Sequence, residues 1–496
     1  MLLKAGALSL ALLLVSRLLG LLRESALAAT FGTSGLADVA VLMLTLPDWL
    51  AGVLASGALA YVLLPAWAAQ SPVQIAASQR RVARLLIGLA VVLAIALVLL
   101  REQSVAWLAG GLPPPLRAVA GQAMLWTSLA LPAAFLAALW TTRLQQERDF
   151  VGMYSSGIVV NVALLAAIAG AALGAGGEQS VSWLGAGLVA AMVLRLAWQR
   201  ARQPRTPHPD ANVLPAVLPG APVWLWALLS AGLPLALPFA ARSMASHSGE
   251  GALATFNYAW KLVELPLLLA IQLVATLALP AIAQALSADR PATAAADADR
   301  PVRTAFALAF ALACACAAGL LAAAPALTHL LFGWGRMDAQ ALVRVAQWAR
   351  IGAWGLLPQA LIAVALAVLA AQRRMKGAVM AYAFALLTFL AIGAGGLTDG
   401  GTLMAILNVL LAIVAVVMLV AIGPAARRWL PWGVLCASFA ALLLLALGMR
   451  FVPAPAADLP GLAVGGSCVG LVLAAAWLAA SAGGLTRSHN SRATHD

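Results

Sequence analysis

The sequence predicts an all-α polytopic membrane protein, and three observations carry that reading. Of 496 residues, 64% are hydrophobic and only 9% are charged. Mean hydropathy is +0.97, whereas a soluble globular domain needs far more charge on its surface. The apolar residues also fall in continuous runs of about 20, the length at which a helix crosses about 30 Å of hydrocarbon. A transmembrane barrel would show short alternating strands instead. Abundant alanine suits helices that approach one another closely.

Taken in order, the runs give about fourteen transmembrane segments. They span 5–28, 34–68, 83–110, 118–143, 151–175, 181–200, 223–247, 251–287, 302–324, 339–371, 375–396, 400–421, 430–450 and 459–482. Segment 1 follows Lys4 and ends near Ala26-Leu27-Ala28, which has the outline of a cleavable signal. Arg17 and Arg23 inside it argue for a retained first helix. Segments 2, 8 and 10 exceed what a bilayer needs. Each holds a proline (Pro47, Pro266, Pro358) expected to bend it or mark an extension beyond the lipid.

Basic residues cluster in every second break. With the N-terminus in the cytoplasm, that side holds Arg80, Arg81 and Arg84; Arg143 and Arg148; Arg195, Arg200, Arg202 and Arg205; Arg290, Arg300 and Arg303; and Arg373, Arg374 and Lys376. Arg427, Arg428, Arg487 and Arg492 continue the series, while Arg101, Arg117, Arg336 and Arg450 fall opposite. This asymmetry predicts both termini in the cytoplasm. It also accounts for the net charge of +13. Nucleic acid is excluded as a partner, because no soluble domain presents a basic patch. The Pro-rich break 203–222 reads as a cytoplasmic linker after a bundle of six helices, residues 1–202. The tail 485–496 reads as disordered. Cys314, Cys316, Cys436 and Cys468 lie in apolar runs and read as core residues, with no disulfide and no metal site.

Several charges have no loop to live in. The bases are Arg17, Arg23, Arg242, Lys261, Arg344 and Arg350, and the acids are Glu24, Asp38, Asp48 and Glu264. Each would cost about 3 kcal/mol if left facing lipid at the bilayer centre. Most must therefore face water or one another. Lys261 and Glu264 are three apart on one helix and can touch. Arg17 and Arg23 are about 120° apart around an ideal helix, so each should find a partner elsewhere. Arg17 and Lys261 lie deepest. Arg344 and Arg350 read as the end of an amphipathic helix near the surface. Cations in a hydrated cavity suit an anionic substrate, and an arginine fork matches phosphate oxygens at two points.

These residues resemble the lipid II flippase family (MurJ, also called MviN). The opening pattern matches at Ser16-Arg17, Gly20, Arg23-Glu24, Phe31-Gly32, Asp38 and Leu46-Pro47, then at Gly57-Ala58 and Pro65. Segment 8 matches at Tyr258, Ala259, Leu262, Glu264 and Pro266, with Lys261 in place of an arginine. The chain departs at Ala51-Gly52, where the family has a basic pair, and at Ser56 and Trp260, where it has acids. The resemblance implies the fold of the multidrug/oligosaccharidyl-lipid/polysaccharide exporters: two lobes, here 1–202 and 223–425, around a central cavity, plus two added helices in 426–484. It implies alternating access for undecaprenyl-pyrophosphate-linked peptidoglycan precursor, with substrate contact at Arg17, Arg23, Glu24, Asp38, Lys261 and Glu264. The expected setting is the bacterial inner membrane. A monomer without cofactor is expected, coupled to membrane potential or a monovalent cation. The alternatives are an exporter of another lipid-linked saccharide or a drug, a membrane enzyme, and a scaffold. An enzyme would want a large extracytoplasmic loop with a catalytic grouping, which the sequence lacks.

Overall fold

The computed structural model describes residues 2–53, 57–68, 70–174, 178–204, 218–286, 299–451 and 459–483. The chain divides into two compact units. The first is Met1–Asn257 with Trp334–Asp338 and Gly396–Gly400, and the second is Tyr258–Gly333 with Ala339–Gly395 and Gly401–Asp496. Most of the linker expected at 203–222, Ser56 and the tail 485–496 lie outside the described residues.

The first unit holds α1 (Leu2–Phe31), α2 (Gly35–Val53), α3 (Leu59–Ala68), α4 (Pro72–Leu99), α5 (Arg101–Leu108), α6 (Pro114–Gln146), α7 (Phe150–Gly174), α8 (Gln179–Arg202) and α9 (Ala221–Ala245). Its core lies between α3, α4 and α6, where Leu63, Trp67, Val82, Leu86, Phe135 and Leu139 pack together. The buried Trp67 indole N–H donates to Ser78 Oγ at 2.6 Å, so the ring carries no bare donor into the core. At the end of α6, Arg143 lies over the Trp67 ring and pairs with Glu147. The helix α4 starts earlier than the apolar pattern predicts. Ser71 and Gln74 form a capping box around Pro72, so Arg80, Arg81 and Arg84 sit on a helix and not in a loop.

Helix α10 (Ala252–Pro266) crosses the boundary between units, which falls after Asn257. The second unit continues with α11 (Gln272–Ala285), α12 (Asp299–Phe332), α13 (Ala339–Ala353), α14 (Leu356–Ala371), α15 (Lys376–Ala394), α16 (Gly400–Ile422), α17 (Ala425–Trp429), α18 (Trp432–Gly448) and α19 (Leu459–Ala482). Its axis is α12, whose alanines and Gly319 let α19 pack closely. A side chain on Gly465 of α19 would meet Ala323 Cβ at 2.6 Å. Small residues substitute for the hydrophobic effect between helices in lipid. Trp429 ties the far end by donating to Asp299 Oδ1 at 2.6 Å. Cys314 and Cys468 are buried as expected, but Cys436 is exposed on α18.

Two of the three long segments change course at their prolines. Segment 10 bends by 45° between α13 and α14, just before Pro358. That proline sits in the first turn of α14, where a missing N–H costs nothing. In segment 2, Pro47 lies inside α2, which is described to Val53, and α3 begins at Leu59. Segment 8 also changes at its proline: α10 ends at Pro266 and runs into a π-helical turn, Leu267–Ile271. Among the described residues eleven helices are long and apolar enough to cross a membrane, or twelve with α13 and α14 as one span. The expected count of about fourteen also used α1 and α18. The latter is 17 residues long and falls among the shorter apolar helices.

Candidate functional site

In the first unit a charged network joins α1, α2 and the start of α10. Arg23 is 8% exposed and Glu24 is 4% exposed. Arg23 Nη2 donates to Glu24 Oε1 at 2.7 Å, and Nη1 donates to Asp48 Oδ2 at 3.3 Å. The second oxygen of Glu24 accepts from Asn257 Nδ2 at 2.8 Å. The Asp48 side chain is half-exposed, so the longer bond faces the open side of the network. Arg195 of α8, expected among the cytoplasmic bases, instead lies within electrostatic reach of Asp48. Asn257 is the member the sequence reading missed. Its signal was present, since Asn257, Lys261 and Glu264 are spaced i, i+4, i+7 on one helix face.

Asp38 has a different occupation. It is 1% exposed, and its two oxygens accept from the backbone N–H groups of Gly251 and Ala254, each at 2.8 Å. It caps the N-terminus of α10. The exchange is reciprocal, because Glu250 Oε1 accepts from the Gly35 N–H at the start of α2. Each helix thus satisfies orphan donors of the other. Gly251 adopts φ +78, and a Cβ there would sit 1.7 Å from the Thr33 carbonyl oxygen, so only glycine closes this turn. These bonds lie just before the unit boundary, which falls after Asn257.

Arg17 does not find the partner expected of it. It is exposed on α1 beside the exposed Leu14 and Leu18, with no hydrogen bond or ion pair to a described residue. Asn161 of α7 donates to the adjacent Ser16 carbonyl at 3.1 Å and fixes that stretch of helix.

In the second unit Lys261 Nζ donates to Glu264 Oε2 at 2.7 Å, the contact their spacing predicts. Both side chains are about a quarter exposed, so this pair also meets open space. Arg350 lies at a helix end as expected, in the last turn of α13, but it is half-buried, and its Nε donates to the Leu321 carbonyl at 3.0 Å.

Ionised side chains within membrane-length helices mark a site inside the membrane. The fold is similar to that of several solved transporters. A solved structure of lipid II flippase MurJ in an inward closed conformation aligns at TM-score 0.75 and 14% identity, covering 96% of this chain and 98% of that one. An inward-facing MATE family transporter of the MOP superfamily aligns at 0.65 and 14% identity, over 83% and 95% of the two chains. A MOP superfamily transporter from Pyrococcus furiosus aligns at 0.53 and 16% identity, over 86% and 95%. No curated protein matches the sequence. The model of the lipid II flippase MurJ family matches residues 27–454, and the chain belongs to that family.

Proposed function

We propose that the chain flips lipid II, the undecaprenyl-pyrophosphate-linked peptidoglycan precursor, across the bacterial inner membrane by alternating access. The observation that carries this is family membership across residues 27–454. The protein acts as a monomer with both termini in the cytoplasm, and it makes or breaks no covalent bond in its substrate. The substrate contacts are Arg17, Arg23, Lys261 and Glu264, with Glu24 holding Arg23 in place and Asp38 holding α10.

The ion pairs suggest how a buried cation can meet a phosphate at low cost. Arg17 has no partner to surrender among the described residues and takes the first contact. Arg23 exchanges Asp48, half-exposed and 3.3 Å away, for a phosphate oxygen while the buried Glu24 stays. Lys261 exchanges Glu264 in the same way. Neither Arg23 nor Lys261 is bare at any stage, so the cost of several kcal/mol for an unpaired buried charge is avoided. A membrane potential negative inside favours outward travel of the anionic head by about 2.3 kcal/mol per charge per 100 mV. A monovalent cation is the other candidate for coupling.

The test is flipping of fluorescent lipid II in proteoliposomes. Wild type should flip it, and Arg17→Ala should abolish flipping without lowering thermal stability. Full activity in Arg17→Ala would overturn the site. Transport of another lipid-linked saccharide, with none of lipid II, would overturn the substrate.

A further inference from the structure

The break between α13 and α14 opens a groove of about 360 Å³ within the second unit, lined by Leu321, Arg350, Ile351, Trp354, Ala405 and Asn408. Three features mark it as built. Arg350 is anchored through Nε to the Leu321 carbonyl, and its two terminal amino groups have no partner among the described residues. Asn408 Nδ2 donates to the Ile351 carbonyl at 2.7 Å, bracing the last turn of α13 where the helix ends. Gly355 admits no side chain, since a Cβ would lie 2.3 Å from Asn408 Oδ1. An arginine in an otherwise apolar membrane groove, with no acid beside it, is a functional site by default.

Position and chemistry suit a phosphorylated lipid. Arg350 lies eleven residues past Ala339, about 17 Å along α13, and Asn408 lies eight past Gly400, about 12 Å along α16. The fork thus stands about two to three turns inside helices of membrane-spanning composition, and an arginine fork there matches a phosphate. The walls suit what such a phosphate carries. The Trp354 ring offers a face for a sugar, and from Ala405 an exposed apolar stripe of Val409, Ile413, Val416 and Val420 runs along α16.

We infer that Arg350 forms a second pyrophosphate subsite, with Trp354 against the adjoining sugar and the α16 stripe against the isoprenoid chain. This rests on the proposed transport of a lipid-linked saccharide. The full chain is placed in proteoliposomes with lipid II and phosphatidylglycerol, with a photo-crosslinking residue at Ala405 or, as reference, at Leu18 beside Arg17. The Ala405 probe should capture lipid II. Capture should fall about tenfold in Arg350→Ala, as expected for loss of a charge-assisted hydrogen bond, while Leu18 capture persists. Arg350→Ala also frees the Leu321 carbonyl, so a second measurement keeps Arg350. There undecaprenyl pyrophosphate should compete with capture and undecaprenol should not. Capture of lipid II at Leu18, with only phospholipid or nothing at Ala405, overturns the subsite and leaves the transport reading standing. Failure at both positions, with no flipping by wild type, overturns both.

Discussion

At the scale of single residues, three charges in the first unit call for different substitutions. Asp38→Ala strands two buried backbone donors at the start of α10, each worth about 1–3 kcal/mol. Thermal unfolding in detergent should show a loss of about 2–4 kcal/mol, and an unchanged midpoint would remove the capping role. Arg23→Ala removes the ion pair of the buried Glu24, which should cost about 3–5 kcal/mol. Adding Glu24→Gln should restore part of that, because the uncompensated charge is then gone. If the double variant is no more stable than the single, the pair is not what holds the network. Arg17→Ala touches no described partner and should stay within about 0.5 kcal/mol of wild type. The sequence exposed these residues because charge is conspicuous against lipid. Their roles were hidden, since the partners of Asp38 lie 213 and 216 positions away and are backbone groups without a side-chain signature. Asn257 was passed over because it is neutral.

At the scale of elements, the apolar runs located the spans well, and the errors fell where charge and helix part company. The start of α4 was read as loop because Arg80, Arg81 and Arg84 cannot lie in lipid. The helix nevertheless extends past the bilayer to the Ser71 cap. Close packing leads to a prediction on α19. Gly465→Val places atoms against Ala323 and should cost about 1–3 kcal/mol by overpacking. A cysteine pair at Gly319 and Val469 should then crosslink less, and undiminished crosslinking would mean that α12 and α19 do not depend on that glycine. A second prediction concerns the turn between α6 and α7. Arg202 of α8 donates two bonds of 2.7 Å to Asp149, whose first oxygen also accepts from the Gly152 N–H. The arginine holds the Asp149 carboxyl below the usual carboxylate range. Its contribution is therefore complete above the unfolded value of about 3.9 and disappears as pH falls through the lowered folded value. Both side chains are partly exposed, so the pair is worth less than about 1 kcal/mol. Unfolding midpoints of wild type and Asp149→Asn should differ slightly at pH 7 and converge near pH 2. A gap that persists in acid would mean that the charge is irrelevant.

At the scale of the whole molecule, the even helix count and the side on which the basic loops lie are one hypothesis. The charge of +13 is excessive for any substrate site and has a simple source if alternate loops remain in the cytoplasm. The division into units was less legible, since its boundary falls inside α10, after Asn257, where the composition does not change. Orientation can be tested without reference to transport. With the four native cysteines replaced, single cysteines are placed at Arg148 and Arg374, after α6 and α14, and at Asp338 and Thr398, before α13 and α16. A membrane-impermeant maleimide on intact spheroplasts should label 338 and 398, and should reach 148 and 374 only after permeabilisation. The reverse pattern would invert the protein and with it the direction in which membrane potential drives an anionic head. Labelling of all four from one side would break the alternation of helices. The basic residues would then need another cause, such as direct attraction to anionic lipid, at about 1 kcal/mol per charge near the surface.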